Sequence, residues 1–306
     1  MEKLYGNYEY DKVYNKILKD LEEETEEEKI EDLRMNNNYV YVTQTITSGD
    51  MVESEIYPVW KCRSDVPRVK KNVTREAQKK LNNKNAQKKV IRLVNTNFNN
   101  NDLMVTLTYD NKHLPNYGEA RRDIQNYIKR LKRYRKKMGL SELKYLYTIE
   151  FAEEESKKVR VHHHIIINNM ERDVVEELWG KGYANAKKLK KDDFGLEGMA
   201  RYIAKDLNGT RRWSCSRNLK QPKVTMSRTR LTKRKVERMV KNQNMFKDIF
   251  ERVYPGCNFR NCDIRYSDVV GGFYLYAKLQ KSRNIKSNEH KEIYKKDRNI
   301  SKRLEI

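Results

Sequence analysis

The run VRVHHHIIIN, residues 159–168, constrains this chain more tightly than any other stretch. Ile165, Ile166 and Ile167 are β-branched, so Val159–Ile167 reads as a buried strand. Side chains alternate along a strand, which puts His162 and His164 on one face and His163 with Ile165 and Ile167 on the other. Two imidazoles one residue apart can converge on a single divalent metal. They can equally be core histidines with satisfied hydrogen bonds, so the neighbours decide what the cluster means.

The flanking segments alternate in type. Leu103–Tyr109 (LMVTLTY) reads as a strand ended by Asp110 and Asn111. Arg121–Lys137 is an amphipathic helix with Ile124, Ile128 and Leu131 on its apolar side, joined by Tyr127 and Tyr134, and Gly139 stops it. Leu143–Phe151 is a second strand, and the polar AEEESKK turns it back into the histidine strand. Glu171–Trp179 is a short helix, Gly182–Lys187 a short strand, and Leu196–Leu207 a further helix. The order β-α-β-β-α-β-α predicts an α+β domain with a largely antiparallel sheet flanked by helices.

Charge narrows the partners. Lys+Arg 66 against Asp+Glu 43 gives a formal net charge of +23, a field that attracts polyanions and nucleic acid above all. Tyrosines number 20, and among basic residues some are placed to stack on bases. From Arg68 to Arg92, ten Lys/Arg stand against the single acid Glu76, so this helical stretch, with Lys79, Lys80, Lys88 and Lys89, is a candidate phosphate-tracking element. The composition divides the chain into an acidic appendage (1–35), a basic extension (36–99), a central domain (100–224) and a basic C-terminal region (225–306). The acidic appendage carries the tract LEEETEEEK. Tyr39–Thr47 and Glu55–Lys61 have strand character, as do Asn258–Tyr266 and the stretch GGFYLYAKL, and Thr232–Asn242 reads as a basic helix. No stretch approaches the roughly 20 apolar residues of a membrane span and no signal-peptide pattern opens the chain, so a cytoplasmic protein is expected. Cys62, Cys215, Cys257 and Cys262 read as reduced thiols.

The chemistry gathers around the histidines. Glu150 closes the strand that hairpins into them, so its carboxylate falls beside His162 and His164. Two imidazoles and a carboxylate suit Mn²⁺, Mg²⁺ or Zn²⁺, and such a metal polarises a phosphoryl oxygen. Tyr202 and Lys205 lie three positions apart in GMARYIAKDL, on one helical face. A phenol with a pKa near 10 needs help to attack a phosphodiester, and a neighbouring ammonium supplies it. Arg211, Arg212 and Lys220 follow as phosphate contacts, with Trp213 either a stacking surface or a core residue.

These motifs resemble a known family. VHHHIII is similar to the His-hydrophobe-His motif of the HUH endonucleases, VTLTY to the strand motif preceding it in their replication proteins, and YIAK to their Tyr-x-x-Lys motif. Order and spacing agree, over roughly Asp102 to Leu219. The resemblance is closest to rolling-circle replication initiators of plasmids and phages, including the filamentous-phage gene II type. It implies a ferredoxin-like or RRM-like core, with His162, His164 and Glu150 as ligands of Mg²⁺ or Mn²⁺. Tyr202 would be the nucleophile, leaving a 5′-phosphotyrosine and a 3′-hydroxyl primer, and Lys205 would steady the charge. His163 departs from the usual apolar residue and calls for a buried hydrogen-bond partner. Asp206 stands where two-tyrosine relatives have their second tyrosine, so a single-tyrosine enzyme is expected. The implied partners are single-stranded or hairpin origin DNA with a host helicase and polymerase in a bacterial cell, since no Walker-type phosphate loop is present. A transposase or relaxase with the same chemistry, and a non-catalytic nucleic-acid-binding protein, remain the alternative readings.

Overall fold

The computed structural model describes residues 38–62, 75–112, 114–150, 161–204, 213–267 and 271–282, with the backbone alone at 75–81 and 267. The acidic appendage and the segment AEEESKK, expected to form a turn, lie outside these residues.

Among the described residues, two five-stranded antiparallel sheets and six α-helices make an α+β structure. The first sheet begins with β1 (Tyr39–Ser48) and β2 (Met51–Trp60), a hairpin turned at Gly49 with φ +60°. Its other strands come from far down the chain: β8 (Lys223–Ser227), β9 (Cys257–Ser267) and β10 (Gly272–Lys281). The strand order is β8-β1-β2-β10-β9. The second sheet holds β3 (Leu103–Thr108), β4 (Tyr145–Glu150), β5 (His162–Ile167), β6 (Ala184–Lys188) and the short β7 (Ser214–Cys215), in the order β6-β3-β5-β4-β7. Strands from the basic extension and from the C-terminal region therefore share one sheet, and the histidine strand is the centre of the other.

The expected β-α-β-β-α-β-α order is observed, with α2 (Tyr117–Lys137), α3 (Arg172–Glu177) and α4 (Glu197–Ile203) as its helices. Helix α2 starts one turn before the apolar periodicity does. Asn116 accepts from the Glu119 amide, and the Glu119 carboxylate accepts from the Asn116 amide. This reciprocal cap satisfies two amides that a helix start otherwise leaves bare.

Alternation sorts the second sheet into two faces. On one, Leu103, Val105, Leu107, Ile165 and Ile167 pack with Ala120, Ile124, Tyr127 and Leu131 of α2 and with Val175 and Trp179. On the other, Met104, Leu146 and Ile166 pack against Val90, Ile91 and Val94 of α1 (Arg75–Asn97) and Ala200 and Ile203 of α4. Helix α1 also meets the first sheet, where β2 carries Glu53 and Glu55 at i and i+2, both buried. Arg92 donates to Glu53 at 2.7 Å and to Glu55 at 2.8 Å, and Tyr276 donates to Glu53 at 2.7 Å. Burial alone would raise the Glu53 pKa, but the Arg92 guanidinium overrides it and holds the carboxyl below its ordinary value. The opposite face of the first sheet is apolar, with Ile56, Leu275 and Leu279 covered by α5 (Lys233–Lys241) and α6 (Phe246–Val253) through Val236, Met239 and Phe250.

Candidate metal centre and nucleophile helix

Register builds the centre. Strand β4 pairs with β5 so that Glu150 faces His162 and Thr148 faces His164, while β3 sets Thr108 and Thr106 against the same two histidines. Glu150, His162, His164, Thr106 and Thr108 therefore share the face that α1 and α4 partly cover. Glu150 Oε2 lies 2.9 Å from His162 Nε2 and 3.5 Å from His164 Nε2. One ligand atom from each of the three residues falls within 4.8 Å of the others, so the cluster could hold a metal ion.

The state of His164 fits that use. Its Nε2 is buried and lacks a hydrogen-bond partner among the described residues. Its Nδ1 lies 3.3 Å from Thr106 Oγ1. A proton on Nδ1, given to the threonine, leaves the Nε2 lone pair directed at the cluster. Burial, and then the neighbouring His162, lower the His164 pKa below the ordinary imidazole value, against an opposing pull from Glu150. A neutral imidazole with an orphaned lone pair beside a carboxylate is what a hard or borderline divalent cation requires.

His163 turns the other way, as alternation demands. It is fully buried, and its Nε2 meets the Tyr109 hydroxyl at 2.9 Å. The Trp179 and Tyr109 rings stand edge-on to it at 5.6 Å. Burial, followed by the adjacent His162 and His164, pushes its pKa down to about 3, so it stays neutral. A histidine thus occupies an apolar position by hydrogen bonding to a tyrosine from the neighbouring strand's end.

Tyr202 lies on α4 with its ring 5.0 Å from the His164 ring, at an interplanar angle of 67°. It is 56% exposed, whereas Ala200 and Ile203 on the same helix are buried against the sheet. Packing of the apolar side thus leaves the phenol at the surface above the cluster. The helix is held at both ends. Asn95 Oδ1 accepts from the Leu196 amide at 2.8 Å, and Gln87 donates to the Ala204 carbonyl at 3.2 Å. Lys278 of β10 donates to both Glu197 oxygens at 2.7 Å, and Arg201 reaches the same carboxylate at 2.6 Å. Asn95, Glu197 and Lys278 were not legible as site residues, because the elements that join them are remote in sequence.

The other candidates are dispersed. Lys205, Arg211 and Arg212 lie outside the described residues. Trp213 packs beside the apolar cluster under α1 and α4, with the Lys89 ammonium 5.7 Å from its ring. Lys88 is drawn to the first sheet, 3.3 Å from Glu55 and over the Tyr276 ring at 4.6 Å. Lys220 is exposed, its backbone clasped by the Asn97 side chain. Lys79 and Lys80 lie in the backbone-only part of α1. Among the described residues no helix is long and apolar enough to cross a membrane.

No curated protein and no solved structure gives a match to this chain. Residues 102–209, the stretch that holds the histidine strand, Glu150 and the Tyr202 helix, match the family of replication-associated proteins of the ORF2 and gene II protein type, in keeping with a resemblance to phage- and plasmid-type replication initiators.

Proposed function

We propose that the protein initiates rolling-circle replication by nicking single-stranded origin DNA, with Tyr202 as the nucleophile. The observation that carries this reading is the phenol standing over a ligand histidine of the cluster, ring to ring at 5.0 Å. Glu150, His162 and His164 would hold Mg²⁺ or Mn²⁺, which when bound would draw charge from a phosphoryl oxygen as a Lewis acid. The Tyr202 oxygen forms a bond to phosphorus while the bond to the 3′ oxygen breaks. The phosphate stays on the 5′ end as a phosphotyrosine, and the phenolic proton is returned to the departing 3′ oxygen, giving a hydroxyl that primes synthesis. Lys205, three residues on in the sequence, would favour the phenolate. Helix α4, fixed at Leu196 and Ala204, keeps the phenol over the cluster, where orientation contributes to rate. The net charge of +23 brings the strand to the protein.

The test is a cleavage assay on labelled single-stranded DNA from the protein's own replicon with Mn²⁺, Mg²⁺ or EDTA. A metal-dependent covalent adduct is expected, and it vanishes in Tyr202→Phe. An adduct that survives the substitution moves the nucleophile elsewhere. Binding without an adduct on any origin strand favours a non-catalytic nucleic-acid-binding protein.

A further inference from the structure

The sheet that carries the metal cluster continues past it to an exposed edge. The Thr108 amide and hydroxyl both donate to the Tyr183 carbonyl, at 2.8 and 3.0 Å. Thr108 faces His162, and His162 faces Glu150. Tyr183, the residue just before β6, thus extends a row that runs through Thr108, His162 and Glu150 on β3, β5 and β4. The adjacent row runs Asn185, Thr106, His164, Thr148. Alternation puts Tyr183 and Asn185 on the cluster's own face, and the Asn185 amide donates to the Tyr183 hydroxyl at 3.2 Å.

Tyr183 is 67% exposed, the most exposed tyrosine among the described residues, yet its backbone is tightly held. Gly182 has φ +146°, and a Cβ there would lie 2.5 Å from the Asp110 amide nitrogen and 2.7 Å from the Thr108 carbonyl. Asp110 donates to the Lys181 carbonyl at 3.2 Å, and Trp179 donates to the Thr108 carbonyl at 2.8 Å. The glycine lets the chain press against the end of β3, and the next residue displays its ring. A fixed backbone, a ring steadied by an amide and a surface open to solvent together describe a platform. The row itself contributes an aromatic face, an amide and hydroxyls. The nearby Lys181 ammonium lies 3.2 Å from Asp123. This is the chemistry of a base-stacking contact, distinct from phosphate binding.

We propose that Tyr183, pinned by Asn185, stacks on the base of a nucleotide flanking the phosphate at the metal cluster. Two strand spacings separate β6 from β5, roughly 10 Å, within reach of a neighbouring nucleotide. The assignment rests on the single-strand nicking reading. It makes Tyr183 a binding residue and leaves the nucleophile's role to Tyr202.

The experiment measures binding of a labelled mixed-sequence single-stranded oligonucleotide to the full chain in EDTA, at several salt concentrations. The proteins are wild type, Tyr183→Ala, Tyr183→Phe and Asn185→Ala, each matched to wild type in its urea midpoint. Tyr183→Ala is expected to weaken binding about 5- to 100-fold, and Tyr183→Phe and Asn185→Ala, which each remove the bond that steadies the ring, to fall together between it and wild type. The salt dependence should be unchanged, because no phosphate contact is removed. Wild-type affinity in Tyr183→Ala overturns the platform. So does a reduced salt slope in Tyr183→Phe, which would make the hydroxyl a phosphate ligand. Loss of the covalent origin-strand adduct in Tyr183→Phe, with binding intact, would make Tyr183 the nucleophile and overturn the assignment. A wild-type protein that binds no single strand removes the nicking reading and the platform together, whereas wild-type nicking beside an inert Tyr183 removes the platform alone.

Discussion

His163 offers a quantitative check on the sheet that aims the candidate metal ligands. Its imidazole is fully buried between Tyr109 and Trp179, with a pKa pushed down to about 3 by burial and by its two histidine neighbours. In the unfolded chain the same group titrates near 6.5. Between these values the unfolded state holds the extra proton, so stability is complete above about pH 6.5. It falls as the pH drops, and the loss is finished only near the folded value. Integrating that difference from pH 7 to pH 5 gives a loss of about 2 kcal/mol from this residue alone. The perturbation is His163→Leu, which places an apolar side chain where no proton can bind. Urea unfolding of both proteins in EDTA at pH 7, 6 and 5 isolates the term, since other titrating groups are common to both. The wild type should lose about 2 kcal/mol more than the variant over this range. Parallel pH profiles would refute the reasoning, because they would mean that His163 is protonated or hydrated in the folded protein.

Glu150→Gln should lower Mn²⁺ affinity by more than the tenfold or so that loss of a supporting residue costs, read by calorimetry, with the fold unchanged. Lys278→Met strands the buried Glu197 carboxylate with Arg201 alone, and should cost about 3 kcal/mol in urea unfolding. Adding Glu197→Gln should recover much of that loss, and a double-mutant cycle measures the coupling. Under the nicking reading, Lys278→Met should also slow adduct formation about tenfold or more while single-strand affinity holds, because Tyr202 shares the helix with Glu197. Gly182→Ala should destabilise by at least about 2 kcal/mol, given the backbone contacts at 2.5 and 2.7 Å and the φ of +146°, and circular dichroism against temperature checks it.

The central region was legible because its signals are local. The β-branched run fixed β5 as a strand, period-2 alternation separated His163 from its neighbours, and antiparallel pairing of β4 with β5 set Glu150 opposite His162. Helix α2 was found by its apolar stripe, although its first turn is set by the Asn116 cap, a side-chain effect that periodicity does not register. The first sheet was harder. Its strands were partly visible as β-rich patches, but the pairing of Ile56 with Leu275 depends on contacts between remote segments. Strand β8 alternates, with Val224 and Met226 between polar residues, but over five residues only and with both apolar side chains exposed, so the pattern is too short to set it apart from a loop. Glu53 and Glu55 did carry a signal: two acids at i and i+2 inside an apolar strand mark a face that meets cations. The Lys278–Glu197 clamp on the Tyr202 helix was hidden, since it needs the positions of two sheets at once.

The strand order β8-β1-β2-β10-β9 has a consequence for the nascent chain. The β1–β2 hairpin leaves the ribosome early, but its partners β8 and β10 emerge only after the whole cluster-bearing sheet has been made. Until then both hairpin edges offer bare amides and carbonyls to any passing strand. The central unit, rich in near-neighbour contacts, can close first and serve as a template, with α1 presenting Arg92 to Glu53 and Glu55. The late arrival of β10 then completes the sheet and brings Lys278 to Glu197 in the same event. Assembly of the outer sheet and the final seating of the Tyr202 helix are thereby one step, so the cluster can exist before its tyrosine is locked above it.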